Sequence, residues 1–108
     1  MKNAKTELEN IINPLSIECA QIQAFLDYDD MGDGIFKINL NLKQGATVAE
    51  LQSFLSALDF NYDNGYGGQN LFGIVWLNDG TWLERGEYDG SEWWEHRVRP
   101  QIPAELQK

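Results

Sequence analysis

The clearest pattern in the chain runs from Phe36 to Leu42. Phe36, Ile38, Leu40 and Leu42 alternate with Lys37, Asn39 and Asn41, the period of two expected of a strand with one buried face. Gln44-Gly45 ends it, and the period then changes. Val48, Leu51, Phe54, Leu55 and Leu58 form one apolar stripe at helical spacing behind Thr47-Val-Ala-Glu50. That tetrapeptide is a capping box: the threonine hydroxyl accepts from a backbone N–H that has no helical partner, and the glutamate reaches back to the cap. A helix over 47–58 follows. Ala4, Leu8, Ile11 and Ile12 predict a shorter amphipathic helix over 4–12. Pro14 stops it, because Asn13 before a proline is pushed out of the helical region. Residues 16–28 suit a strand whose alternation slips between Cys19 and Ile22, as a bulge would make it do.

The last third reads as a meander of three strands, 71–77, 81–88 and 92–99, reached through a Gly-, Asn- and Tyr-rich connection over 61–70. Asn78-Asp79-Gly80 and Tyr88-Asp89-Gly90 mark its turns, and Pro100 and Pro103 end it. Turn length sets the register. A two-residue turn at 89–90 would place Glu87 against Glu92 and Glu84 against Glu95, and like charges directly opposite destabilise a pair. Three-residue loops at 78–80 and 88–90 avoid both clashes. They place Trp76 opposite Trp82, Trp82 opposite His96 and Arg85 opposite Trp93. One face then carries Phe72, Ile74, Trp76, Trp82, Trp94 and Val98, the expected core face. The other carries Leu71, Val75, Leu77, Leu83 and Trp93 among Arg85, Glu87, Glu95 and Arg97. That second set is too apolar for a solvated face. It predicts either a covering element or a contact surface, including that of a symmetric homodimer.

The order α-β-β-α-β-β-β defines an α+β fold, one domain over residues 1–108, with an antiparallel sheet packed on helices. The length of 108 residues falls within the roughly 100–150 of a single domain, and such a chain builds a core without staples. Cys19 is the one cysteine and His96 the one histidine. They leave no intramolecular disulfide, and neither a multi-cysteine nor a histidine-based metal site is expected. No apolar run approaches the ~18 residues of a membrane span, and the first residues lack the apolar stretch of a secretion signal. The expected compartment is the cytoplasm. Seventeen acids and eight bases give a net charge of −9. The excess is shared: eight acids and four bases over 1–54, nine and four over 55–108. Such a field repels phosphate backbones and anionic membranes, and favours partners with a basic surface. Neither nucleic acid nor membrane is expected to bind directly.

Few motifs point to chemistry. Asp27-Tyr-Asp-Asp-Met-Gly-Asp-Gly34 resembles a calcium loop in composition only. Counted from Asp27, position 5 is Met31 and position 12 is Ile38; counted from Asp29, position 3 is Met31 and position 12 is Leu40. Both fail the ligand pattern. Gly65-Tyr-Gly-Gly68 lacks the Lys-Ser/Thr ending of a phosphate loop. Glu84 and His96 share the inferred tryptophan face and form a candidate acid–base pair, the basis of an enzymatic alternative. No cofactor is implied.

The segment Val75-Trp-Leu-Asn-Asp-Gly-Thr-Trp-Leu-Glu-Arg-Gly-Glu-Tyr-Asp-Gly-Ser-Glu-Trp-Trp-Glu-His96, followed by Pro100-Gln-Ile-Pro103, resembles small uncharacterised acidic proteins of bacteriophages and prophages. The resemblance covers the last third of the chain and carries no activity. It implies the context of a host bacterium, in which small acidic phage proteins often inhibit defence proteins, some by imitating DNA. The expected function is a non-catalytic protein-binding module, an inhibitor of a host nucleic-acid-binding or defence protein. The carboxylates of Asp27, Asp29, Asp30, Asp33, Asp59 and Asp63 would imitate phosphates, and Glu92, Trp93 and Glu95 would complete the contact surface. A self-associating structural protein is the third reading.

Overall fold

The computed structural model describes residues 2–27, 35–62 and 69–107. In chain order these form β1 (Lys2–Asn3), α1 (Ala4–Glu9), β2 (Ile17–Asp27), β3 (Ile35–Leu42), α2 (Val48–Ala57), β4 (Asn61–Tyr62), β5 (Leu71–Leu77), β6 (Trp82–Tyr88) and β7 (Ser91–Arg97). β1 and β4 pair as a short ribbon. The other five strands make one antiparallel sheet in the order β3-β2-β5-β6-β7. The fold is α+β, as the pattern predicts.

The capping box of α2 is formed. Thr47 Oγ1 accepts from the Glu50 N–H at 3.1 Å, and Glu50 Oε1 accepts from the Thr47 N–H at 3.0 Å. Leu51, Phe54 and Leu55 on its apolar stripe are buried, with Leu58 behind them. α1 is shorter than predicted. Asn3 caps it by accepting from the Thr6 N–H, and it ends at Asn10. Ile11 is therefore left exposed, while Ala4 and Leu8 enter the core. The bulge in β2 lies between Ile17 and Cys19 rather than beyond Cys19. From there the strand alternates regularly: Ala20, Ile22 and Ala24 point into the core. Cys19, Gln21 and Gln23 point away.

The two meander turns differ. At 78–80 the predicted three-residue loop is present: the Leu77 N–H donates to the Thr81 carbonyl, Gly80 has φ 86°, and Trp76 pairs with Trp82. At 89–90 the loop has two residues, not three. Asp89 (φ 51°) and Gly90 (φ 85°) are both left-handed, the backbone of the tight Asp-Gly turn. Arg85 therefore opposes Trp94, Trp82 opposes Arg97, Glu87 opposes Glu92 and Glu84 opposes Glu95. The expected repulsion does not arise, because each acid has its own neutralising group. Glu92 turns inward onto Arg85, Glu87 accepts from the Gly90 N–H, and Arg97 lies against both Glu84 and Glu95.

This register and the helices exchange the predicted faces. α1 and α2 share one core cluster with Leu71, Val75, Leu77, Leu83 and Trp94. Of the set expected to need a cover, Leu71, Val75, Leu77 and Leu83 thus form the core face, covered by helices of the same chain, and they are not available to a homodimer. Phe72, Ile74, Trp76 and Trp82, expected in the core, lie on the opposite face. Trp93 joins them there.

Candidate functional site

Both helices lie on one side of the sheet, and no element among the described residues covers its other, open side. Alternation places Phe25, Phe72, Ile74, Trp76, Trp82 and Trp93 there. Phe72 and Trp76 are each 39% exposed and the other four are half-buried. The Phe25 and Phe72 rings meet edge to face with centroids 5.6 Å apart, and Lys37 Nζ lies 5.6 Å from the centre of Phe25. Trp76 and Trp82 are directly paired across β5 and β6.

Charged groups hold the indoles in place. Trp82 Nε1 donates to Glu84 Oε1 at 2.8 Å, and Trp93 Nε1 to Glu95 Oε1 at 3.0 Å. Arg97 Nη2 binds Glu95 Oε2 at 2.6 Å, and Arg97 Nε lies 3.8 Å from Glu84 Oε2. Trp93 lies against Gly86, where an added Cβ would stand 2.6 Å from the Trp93 Nε1. Any residue larger than glycine at 86 displaces that ring. Trp82 and Trp93 are oriented with their polar edges bonded, and together with Trp76 they leave part of their area open to solvent, as interface anchors do.

The covered side holds a different constellation. Arg85 Nη1 donates to Glu7 Oε2 at 3.1 Å, and Nη2 to Glu92 Oε1 at 2.6 Å and to the Tyr62 hydroxyl at 3.1 Å. Tyr62 in turn donates to Glu7 Oε1 at 2.6 Å. Glu92 also accepts from the backbone N–H groups of Asn70 and Leu71 at 2.6 and 2.9 Å. The Arg85 guanidinium stacks 4.8 Å from the Trp94 ring. Burial and the bond to Glu7 push the Tyr62 hydroxyl well above its ordinary range. Burial opposes the Arg85 charge, but Glu7 and the bonds to Glu92 and Tyr62 outweigh it, so its affinity for the proton rises. Side-chain exposures of 2%, 3% and 0% for Arg85, Glu7 and Glu92 keep substrate away from all three. The network ties α1, β4, β6 and β7 to the start of β5.

The predicted site residues disperse. Glu92 is not a surface residue: Arg85 and two backbone N–H groups hold it in the interior. Trp93 and Glu95 lie together on the open face. Asp59 is exposed after α2 and accepts from Asn3 Nδ2 at 2.9 Å. Asp27 closes β2 opposite Ile35, and its side chain, like Asp29, Asp30, Asp33 and Asp63, lies outside the described residues. Glu84 and His96 are not brought together. Glu84 is on the open face, whereas His96 pairs with Leu83 and its Nε2 lies 2.8 Å from Thr81 Oγ1. The acid–base pair is therefore absent. Cys19 is half-buried, and burial, with Glu18 beside it, raises its pKa, so it is not an activated nucleophile. A groove of about 640 Å³ between β3 and α2 has Lys43 and Glu50 as its ionisable lining, and Glu50 is engaged in the helix cap. Among the described residues no three His, Cys, Asp or Glu side chains cluster as metal ligands, and no helix is long and apolar enough to cross a membrane.

The sequence reading missed Phe25, Phe72, Ile74, Trp76 and Trp82 as surface residues. The available signal was the pairing of bulky aromatics with polar neighbours on the same face: Trp82 with Glu84, Trp93 with Glu95, Phe25 with Gln23. No family model, curated protein sequence or solved structure matches this chain.

Proposed function

We propose that this protein is a non-catalytic binding module that uses the open face of its sheet to hold a basic polypeptide partner. One observation carries the reading: five aromatic rings and Ile74 share a face that no element among the described residues covers. Sheet faces this apolar are ordinarily packed, and Trp is the residue most enriched among interface hot spots. Charge supports the choice of partner. An excess of nine acids repels phosphate and attracts Lys and Arg. In the phage context that the last third of the chain resembles, the partner is a nucleic-acid-binding protein of the host, inhibited by occupation of its basic surface. The acids of 27–33 contribute to long-range attraction, while the aromatic face supplies the contact.

Affinity purification from bacterial lysate tests this, with the full chain and a Trp76→Ser/Trp82→Ser variant compared side by side. A stoichiometric basic protein retained by the first and lost by the second, and displaced by nucleic acid, is the expected result. Equal retention by both places the contact elsewhere. Hydrolytic or transfer activity that Glu84→Gln abolishes would instead revive the enzymatic reading.

A further inference from the structure

The sheet ends in two edge strands, β3 and β7, and α2 packs beside β3. The eight residues of β3 pair with β2 without a register shift, and no proline or glycine interrupts 35–43. Antiparallel pairing uses the N–H and C=O of alternate residues, so the residues between them direct theirs outward. No strand among the described residues takes up that outer row. Along it runs the groove of about 640 Å³ between β3 and α2, a volume within the roughly 300–1,000 Å³ of ligand sites. Five consecutive residues, 39–43, line the groove on the strand side. Consecutive side chains point to opposite faces, so the groove follows the backbone edge itself. Its floor is Leu40, Leu42 and Phe54. Its far wall is Ala49, Ser53 and Ala57, small exposed residues four apart on one face of α2. Charge also sets this corner apart. Residues 35–58 carry Lys37, Lys43 and Glu50, a net +1, whereas the remaining residues carry six bases and sixteen acids, a net −10. Glu50 is held in the helix cap, and Lys43 has no ion pair among the described residues.

We propose that this groove binds an extended peptide segment of another protein as an added antiparallel strand on β3, with an acidic side chain beside Lys43 and apolar side chains at alternate positions after it. The inference goes beyond the reading of the open face: it uses the edge of the sheet and a partner of different chemistry. The edge sets the class of ligand, because a row of N–H and C=O groups at strand spacing is met by another extended backbone. Antiparallel is the direction of every pair in this sheet and the more stable one. It sets the start of the segment beside Lys43, just past the end of β3. Every second side chain of the segment then turns toward α2. There Ala49, Ser53 and Ala57 leave room, and Leu40 and Phe54 supply apolar surface. Physiological salt screens charges beyond about 8 Å, so Lys43 sets the preference at contact and the acids elsewhere in the chain do not. The same lysines disfavour a second copy as the occupant. Two β3 edges centred on Leu40 set Lys37 against Lys43, like charges directly opposite, in molecules that repel through a net −9 each.

The test selects a displayed library of random heptapeptides on the immobilised full chain, then titrates the most enriched peptide, made synthetically, into isotope-labelled protein followed by NMR. Enriched peptides are expected to begin with Asp or Glu and to carry apolar residues at alternate positions. The amide shifts are expected to concentrate on residues 37–43 and 49–57. N-methylation at one alternate set of peptide positions should weaken binding at least tenfold and at the other set hardly at all, since a single row of N–H groups faces β3. Ser53→Phe/Ala57→Phe fills the groove from exposed helix positions and should also weaken binding at least tenfold. Lys43→Glu should weaken it most at low salt. Trp76→Ser/Trp82→Ser should bind the peptide as the wild type does, so the edge and the open face are read separately. A selection that enriches nothing overturns the proposal. So do shifts confined to the open face, N-methylation tolerated at every position, or unchanged binding by the groove-filling variant. Shifts at 37–43 that grow with protein concentration in the absence of peptide would assign the edge to a second copy and overturn it as well.

Discussion

The two faces of the one sheet reverse the usual distribution of residue types. The covered face encloses Arg85, Glu7, Glu92 and Tyr62 together with Trp94, while the open face displays Phe72, Trp76, Trp82 and Trp93. On the covered face, charges are out of water and every carboxylate is bonded to a cation, a hydroxyl or a backbone N–H. On the open face the ion pairs of Arg97 remain half in solvent, where such pairs contribute little. Burial is therefore decided by what lies across from a residue, and residue type alone is a poor guide to it.

The largest expected effect breaks the covered face. Arg85→Ala removes the buried cation that faces both Glu7 and Glu92, leaving Glu7 only the half-exposed Lys2 at 3.7 Å, and should destabilise the protein by about 3–5 kcal/mol, read from urea unfolding midpoints. A loss of under about 1 kcal/mol, the range of exposed pairs, would mean that water reaches the network and that the two faces are electrostatically alike.

The second prediction sets one tryptophan against another. Trp94, 6% exposed, should cost about 3–5 kcal/mol on truncation to alanine. Trp76, 39% exposed, should cost about 1 kcal/mol or less, because part of its area is still wet in the folded state. Similar losses at the two positions would show that the open face is packed in solution, and a dimer would be the first explanation to examine.

A smaller effect calibrates both. Thr47→Ala removes the acceptor of the Glu50 N–H and should cost about 1 kcal/mol, independent of either face. The capping bonds to Thr47 also hold the Glu50 carboxyl below its ordinary range. This contribution is present above the unfolded pKa and fades as pH falls through the folded one.

The smallest effect is a slope against pH. Tyr62 has its hydroxyl pKa raised by burial and by the bond to Glu7. In the unfolded chain it ionises near pH ~10, whereas in the folded chain it keeps its proton. Above that pH the unfolded state binds fewer protons, so stability falls as pH rises. Tyr62→Phe removes the ionisable group, and its stability curve should be flatter than that of the wild type above pH ~10.

Much of the fold is legible locally. The alternation of 36–42 placed Ile38, Leu40 and Leu42 on the side that faces the core. The capping box placed the start of α2 to the residue, and Asn78-Asp79-Gly80 specified its loop. The candidate site was less legible. The pairing of Glu87 with Glu92 and of Glu84 with Glu95 looks repulsive when only those four residues are considered. It becomes acceptable because Arg85, Arg97 and the Gly90 N–H stand beside them, and Glu7 joins Arg85 from the far end of the chain.

The sequence by itself determined the two helices and the five strands of the main sheet, though not the β1–β4 ribbon, together with the cap of α2, one of the two meander turns, and the acidic field of the whole protein. These depend on periodicity and on groups a few residues apart, which act whatever the rest of the chain does. Only the tertiary structure decided which face of the sheet is core. Both faces of β5 carry enough apolar residues to serve, and alternation states only that Leu71, Val75 and Leu77 are opposite to Phe72, Ile74 and Trp76. The choice falls to the helices, whose apolar stripes bury one set against Ala20, Ile22 and Ala24 and leave the other without a cover among the described residues.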